Sequence, residues 1–257
     1  MAEHPYWIAY RTLVIKEVLR FSRIWVQTVL PPAITTTLYF IIFGRLIGEQ
    51  IGQMDGVRYI DYIVPGLILM AVITNSYANV VSSFYQAKFQ HHIEELLVSP
   101  MPNWVVLLGF VSGGVARGMV VGLLVMAVAF VFADPPLHSV AVTLVVFLLT
   151  SVLFALGGFI NAVYAKSFDD ITIVPNFVLT PLTYLGGVFY SIDLLSPFWQ
   201  QVSLFNPVLY MVNAFRFGLL GVSDISLWTA LGMILIFIMV LAVFSLRLLD
   251  RGVGVKS

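Results

Sequence analysis

Long apolar runs, broken by brief polar interruptions, set the pattern of this chain. Runs at about 25–47, 59–85, 104–132, 140–164, 171–188 and 227–249 are each of the order needed to cross a hydrocarbon core of roughly 30 Å as a helix, which takes about 20 residues. No ten-residue alternation of the kind a membrane barrel needs is present. The pattern predicts an all-α membrane protein of one domain, residues 1–257, with six transmembrane helices. Ahead of the first run, residues 5–22 read as an amphipathic helix in the membrane interface. Tyr10, Val14, Phe21 and Trp25 trace its apolar stripe, and Lys16, Arg20 and Arg23 a cationic one.

The second run carries no glycine or proline between Gly66 and Ser99. Thirty-odd helical residues would reach about 50 Å at 1.5 Å each, so a bend or break is expected near 86–92. The segment QAKFQHHIEELLVSPMP, over 86–102, is the one extended polar interruption in the first half. Ile93, Leu96 and Leu97 share a face at i, i+3 and i+4, while His91, His92, Glu94 and Glu95 take the others. Pro100 and Pro102 end the helix, because a residue before proline leaves the α region. A helix of about 86–99 fits two roles: a loop resting its leucines among headgroups, or a docking element for a soluble partner. Between the fifth and sixth runs, 189–226 is too polar to cross simply and too aromatic for a solvated loop. It reads as two short re-entrant helices, about 197–204 and 207–220. In the first run, Thr35, Thr36 and Thr37 stand behind Pro31-Pro32, where hydroxyls can re-satisfy carbonyls that the prolines free.

Composition narrows the class. Sixty per cent hydrophobic and ten per cent charged residues exclude an ordinary soluble domain. The absence of cysteine excludes disulfides and thiolate chemistry, and a net charge of zero without a basic patch argues against nucleic acid. The N-terminus lacks the layout of a cleaved signal peptide. With six crossings, Arg11, Lys16, Arg20, Arg23, Lys88, Lys166, Arg247, Arg251 and Lys256 fall on one side. Arg45, Arg58 and Arg216 fall on the other. That asymmetry puts both termini and the 86–99 helix in the cytoplasm.

Candidate chemistry is sparse. No G-x-x-x-x-G-K-[ST] is present, so no phosphate cradle is expected from this chain. His4, His91, His92 and His138 lie in interfacial or external segments, without a buried serine partner or metal-ligand spacing. Small residues around Ser112-Gly113-Gly114 suit close helix packing better than an ATPase signature or a protease nucleophile. Asn75, Asn79, Ser82 and Gln86 make one polar stripe, and Thr172, Asn176, Thr180 and Thr183 another, the latter beside Pro175 and Pro181. Such stripes either join helices or line the path of a partly polar substrate, for which Asn75, Asn79, Arg117, Asn176, Thr180 and Thr183 are the candidates. Arg117 reads as the one formal charge deep in a span. At a cost of at least about 2.5–3.5 kcal/mol there, it should face protein or water. It either pairs with Asn75 or Asn79 or holds an anionic headgroup. Aromatics including Phe189, Tyr190, Phe205, Tyr210 and Phe215 crowd the outer end, as an interfacial belt would.

Two stretches carry a family resemblance. E-E-L-L-x-S-P-M at 94–101 and LFNPVLYMVNAFRFGLLG at 204–221, preceded by LGGVFY at 185–190, resemble type-2 ABC exporter permeases, the NodJ- and YadH-like group. The resemblance covers essentially the whole chain. It implies that His91, His92, Ile93, Glu94, Glu95, Leu96, Leu97, Val98, Ser99 and Pro100 form a coupling helix seated in a separate ABC ATPase. It further implies a homodimer with spans one and five near the seam, two ATPase subunits that bind ATP and Mg, and no cofactor in this chain. The implied setting is the bacterial inner membrane, with lipids as surroundings. The implied cargo is an amphipathic lipid-, glycan- or drug-like molecule, and Phe189, Tyr190, Phe205, Tyr210 and Phe215 would gate its exit. An ion-coupled secondary carrier is the alternative. It requires carboxylates within the spans, and the sequence places Asp61, Asp134, Asp193 and Asp224 at the rim.

Overall fold

A computed structural model describes residues 5–254; His4 and Lys256 therefore lie outside the described residues. The chain is a helical bundle. Helix α1 (Pro5–Arg23) is followed by α2 (Trp25–Tyr39), which runs through a π-helical stretch, Phe40–Ile47, into α3 (Gly48–Ile51). Two short strands, β1 (Gln53–Met54) and β2 (Val57–Arg58), form a hairpin with Gln53 opposite Arg58 and Met54 opposite Val57. Asp55 and Gly56, both at positive φ, make its two-residue turn, which is why an Asp-Gly pair stands there. Next come α4 (Tyr59–Phe89), α5 (His92–Val98), α6 (Asn103–Phe132) and α7 (Val140–Tyr164). After α8 (Asp170–Val174), a π-helical piece (Pro175–Leu179) and α9 (Thr180–Tyr184), the chain forms a 3-10 turn (Ile192–Leu194). Helices α10 (Pro197–Ser203), α11 (Pro207–Leu220) and α12 (Leu227–Arg251) complete it.

Among the described residues, five helices are long and apolar enough to cross a membrane: Trp25–Ile51, Tyr59–Phe89, Asn103–Phe132, Val140–Tyr164 and Leu227–Arg251. The run expected as a span at 171–188 takes another form. It is one helical stretch of 15 residues, Asp170–Val174, Pro175–Leu179 and Thr180–Tyr184, whose middle part is π-helical. Together they reach about 22 Å at the α-helical rise, short of a hydrocarbon core of roughly 30 Å. Pro175 and Pro181 account for the interruption, since each removes an N–H and crowds the preceding turn. The threonines near Pro31-Pro32 do not serve the prolines as expected. Thr37 Oγ1 donates to Ala33 O, and Thr28 Oγ1 to Phe21 O and Ile24 O.

Helix α4 is the axis of the bundle, with nearly every residue from Tyr59 to Phe84 on its inner faces buried. It packs against α6 and α7, and the three are drawn together by small residues. Gly114, Gly118 and Gly122, one turn apart on α6, face Val80, Ser76 and Val72 on α4. The Ser112-Gly113-Gly114 stretch is thus packing surface, with Tyr10 Oη on Ser112 Oγ at 2.9 Å. Helix α1 runs alongside the first half of α6 rather than standing apart from the bundle: Tyr6 meets the Trp104 ring and Leu13 lies over Gly109.

Candidate functional site

Helix α4 runs unbroken to Phe89, so Gln86 and Lys88 belong to it and not to the docking element. The break falls at His91, a non-glycine residue in the left-handed region (φ 60°), and α5 starts at His92. Lys88 holds the corner by donating from Nζ to Val163 O and Ala165 O, at 2.7 and 2.8 Å. Ile93 is buried and Leu96 packs on the core, so these two fasten α5 to the bundle. His91, His92, Glu94, Glu95, Val98 and Pro100 are exposed, and His91 Nδ1 stands 2.9 Å from Glu94 Oε1. Val98 is 87% exposed, and the helix ends at Ser99, whose Oγ donates to Leu96 O. The result is a short helix pinned by two aliphatic side chains, with two carboxylates and a valine exposed.

The polar stripe of α4 divides into two halves with different roles. Asn79 is taken up by α1: Arg20 Nη2 donates to both Asn79 O and Asn79 Oδ1 at 2.8 Å. Arg20 Nη1 also reaches Ser82 Oγ at 3.4 Å. Beside it Glu17, fully buried, accepts from Ser83 Oγ at 2.7 Å and from Arg20 Nε at 3.4 Å. Gly113 admits Glu17: a Cβ there would sit 2.5 Å from Glu17 Cβ. Arg20 is accordingly an inward-facing residue that joins α1 to α4, and Asn79 serves as an anchor rather than a lining.

Asn75 and Arg117 meet in another setting. With Pro31, Thr35, Tyr39 and Met70 they line a half-open cavity of about 340 Å³ between α2 and α4, to which α6 contributes Arg117. Asn75 Nδ2 donates to Ala71 O. Arg117 pairs with neither asparagine; its Nε is buried and has no hydrogen-bond partner among the described residues. Asn176, Thr180 and Thr183 are not part of this cavity. Thr180 Oγ1 donates to Pro175 O and Thr183 Oγ1 to Leu179 O and Thr180 O, so both hydroxyls serve their own interrupted helix. Asn176 is exposed.

The outer aromatics also separate. Phe189 sits among the rings of Tyr39, Phe43 and Tyr184, at centroid distances of 5.8, 4.9 and 5.8 Å, and Tyr39 continues from there into the cavity. Tyr190 is half-buried and Phe205 is 84% exposed. Tyr210 donates its hydroxyl to Leu204 O, and Phe215 is fully buried against Phe147. Those last two are packing residues of α11.

Residues 8–220 match the model of the ABC-2 type transporter family. The chain belongs to that family. It is 56% identical over 257 residues to the "Inner membrane transport permease YadH" of Escherichia coli K12, with 99% of each chain covered. It is 23% identical over 215 residues to "Nodulation protein J" of Rhizobium leguminosarum bv. viciae, covering 83% of each chain. Against the protein of the same name from Rhizobium meliloti, identity is 22% over 234 residues. The chain is therefore an ABC-2 permease subunit of a transporter, and such permeases generally work with an ATPase partner.

Two charges of this ABC-2 permease are buried where no local sequence pattern announces it. Glu17 looks like one more polar residue of an amphipathic helix, and only its place opposite Gly113 shows why it is buried. Arg216, expected on the outer side within the 207–220 helix, is fully buried in α11. Its guanidinium carbon lies 3.9 Å from the Tyr62 ring centroid, Nη2 donates to Gly187 O at 2.5 Å, and Nη1 is 3.6 Å from Asp224 Oδ2. Asp224, in the connection before α12, also accepts from Ile192 N and Ser191 Oγ, both at 3.4 Å. Burial raises the Asp224 carboxyl above its ordinary value, with Arg216 opposing the rise. A carboxyl raised on folding contributes stability that is full below the unfolded value, about 3.9, and lost as pH rises through the folded value. The melting temperature of the permease should therefore fall across that window, and D224N should flatten the fall. Thermal melts in detergent at stepped pH test this. An unchanged slope in D224N would remove Asp224 as its source.

Proposed function

We propose that this permease is the membrane subunit of an ATP-driven exporter in the bacterial inner membrane. A separate ABC ATPase binds the ATP and Mg and docks on α5. The observation that carries this reading is α5 itself: a helix set off by the left-handed His91, fastened by Ile93 and Leu96, and presenting Glu94, Glu95 and Val98 outward. Its two neighbours, α4 and α6, are the longest helices of the bundle and share the small-residue seam. A push on α5 is therefore delivered to α4, which walls the cavity, and to α6, which carries Arg117, and alternation between two packings of the bundle would move cargo outward.

The lysine and arginine asymmetry supports cytoplasmic termini and a cytoplasmic α5. Such an orientation requires an even number of crossings, with the interrupted segment from Asp170 to Tyr184, assisted by the outer helices, supplying the sixth. The relative's name, an inner membrane permease, supports the location. Two copies with α2 and the interrupted segment at their seam, and two ATPases beneath, complete the assembly; the exposed apolar faces of Ile34, Leu38, Ile173 and Phe177 support that seam. The cargo is amphipathic, lipid-, glycan- or drug-like. Ion-coupled carriage draws no support from Glu17, the buried carboxylate of α1, because Ser83 and Arg20 satisfy it away from the cavity.

Co-purification with the cognate ATPase tests the reading. The double variant Glu94→Arg, Glu95→Arg leaves Ile93 and Leu96 in place, so the permease should purify at normal yield. It should lose most of its bound ATPase and its substrate-stimulated ATP hydrolysis. Full retention of both would overturn the docking role of α5.

A further inference from the structure

Arg117 lies at the midpoint of α6, level with Asn75 at the midpoint of α4, and both face the cavity beside α2. Its Nε is buried without a partner, and no hydrogen bond or ion pair to Arg117 exists among the described residues. The nearby charge of Arg20 is of like sign and adds to the imbalance. A cation so placed calls for an anion, and this chain cannot provide one. Glu17 is taken by Ser83 and Arg20, Asp61 by Arg58, and Asp224 by Arg216. Every other described carboxylate stands in a connection or in an end turn of a helix. A second copy, having the same sequence, likewise has no carboxylate to offer at that depth. The anion must come from a ligand. The rest of the lining sets its shape: Pro31, Pro32, Leu67 and Met70 are apolar, and Gln27, Thr35, Thr36, Thr74 and Asn75 add a polar edge. At about 340 Å³ the space falls at the lower end of small-molecule sites, which run from roughly 300 to 1,000 Å³.

We propose that this cavity binds an anionic amphiphile, its phosphate or carboxylate head on Arg117 and its chain along Pro31, Pro32, Leu67 and Met70. This deepens the exporter reading by naming the chemical class of its cargo. The site itself, however, requires no ATPase, so the two can fail separately.

The test uses the full-length permease alone, in an uncharged maltoside detergent, with dodecyl phosphate as probe and native mass spectrometry to count bound molecules. Dodecanol and inorganic phosphate serve as the single-feature controls. The wild type should bind dodecyl phosphate saturably and neither control comparably. Arg117→Gln should weaken binding at least about tenfold, the loss expected for a charge-assisted hydrogen bond, and Arg117→Lys should recover part of it. Thr74→Trp fills the cavity from an exposed position and leaves Arg117 intact; it should abolish binding, and it decides the matter if Arg117→Gln fails to fold. Competition by added phosphatidylglycerol would identify bilayer lipid as an occupant. Its absence would point to a non-lipid amphiphile, and both results support the site. Equal binding of dodecanol, or undiminished binding by Thr74→Trp, would overturn it.

Discussion

Arg216→Ala should cost the folded protein about 3–5 kcal/mol, the range for removing one partner of a buried ion pair. The side chain is fully buried and holds three elements at once. It stacks on Tyr62 of α4, donates to Gly187 O after α9, and faces Asp224 before α12. Truncation leaves Asp224, only 9% exposed at its side chain, as an uncompensated carboxylate, and leaves the Gly187 carbonyl without its donor. The decisive comparison is with R216M alone, D224N alone and the double variant R216M/D224N. The single Asp change keeps the contacts to Tyr62 and Gly187 and should cost less. The double change removes both charges while conserving much of the volume, and should recover part of the loss, as buried pairs replaced together often do. Thermal melts and the monodisperse fraction after detergent extraction report the outcome. If the double variant is as unstable as the sum of R216M and D224N, the two charges are not coupled and Arg216 acts through its contacts to Tyr62 and Gly187.

What the sequence showed and what it hid have distinct physical reasons. Apolar runs are long-range averages, and each span longer than 20 residues survives any local detail, so the five long helices and their order could be read directly. Interruptions backed by steric rules were also legible, since Pro100 and Pro102 closing α5 and Pro207 opening α11 follow from missing N–H groups. The π-helical middle of the 171–188 run was not legible, because hydropathy counts carbon and ignores hydrogen-bond register, which Pro175 and Pro181 disturb. Charge was the least legible property. Glu17 and Arg216 are buried by partners far away in sequence, Ser83 and Gly187, and no local pattern announces such pairs. Asn79 and Asn75, four residues apart on one stripe, were indistinguishable until α1 was seen to occupy the first and leave the second facing the cavity.

The second large effect concerns the seam that joins α4, α6 and α7. A Cβ at Gly158 would stand 2.5 Å from Tyr77 O, a backbone atom that no rotamer change can move. One at Gly118 would overlap Ser76 Oγ, the end of a short side chain, with Ser151 Oγ 3.2 Å away on the other side. The two positions should therefore respond differently to the same insertion. Gly118→Ala should be partly tolerated, because Ser76 can rotate, and its cost should fall when Ser76 is replaced by Gly. Gly158→Ala forces α7 away from α4 along its length, and should cost about 1–3 kcal/mol or more, with no second-site side-chain change to relieve it. In a lipid environment, where helices associate chiefly through packing, such separation loses contact along several turns at once. Folded yield and melting temperature of the four variants, Gly118→Ala, Ser76→Gly, their combination and Gly158→Ala, decide the matter. Equal losses at both glycines, or no rescue of Gly118→Ala by Ser76→Gly, would mean that the helices are not held at the spacing described, and the lever that joins α5 to the cavity walls would lose its rigid member.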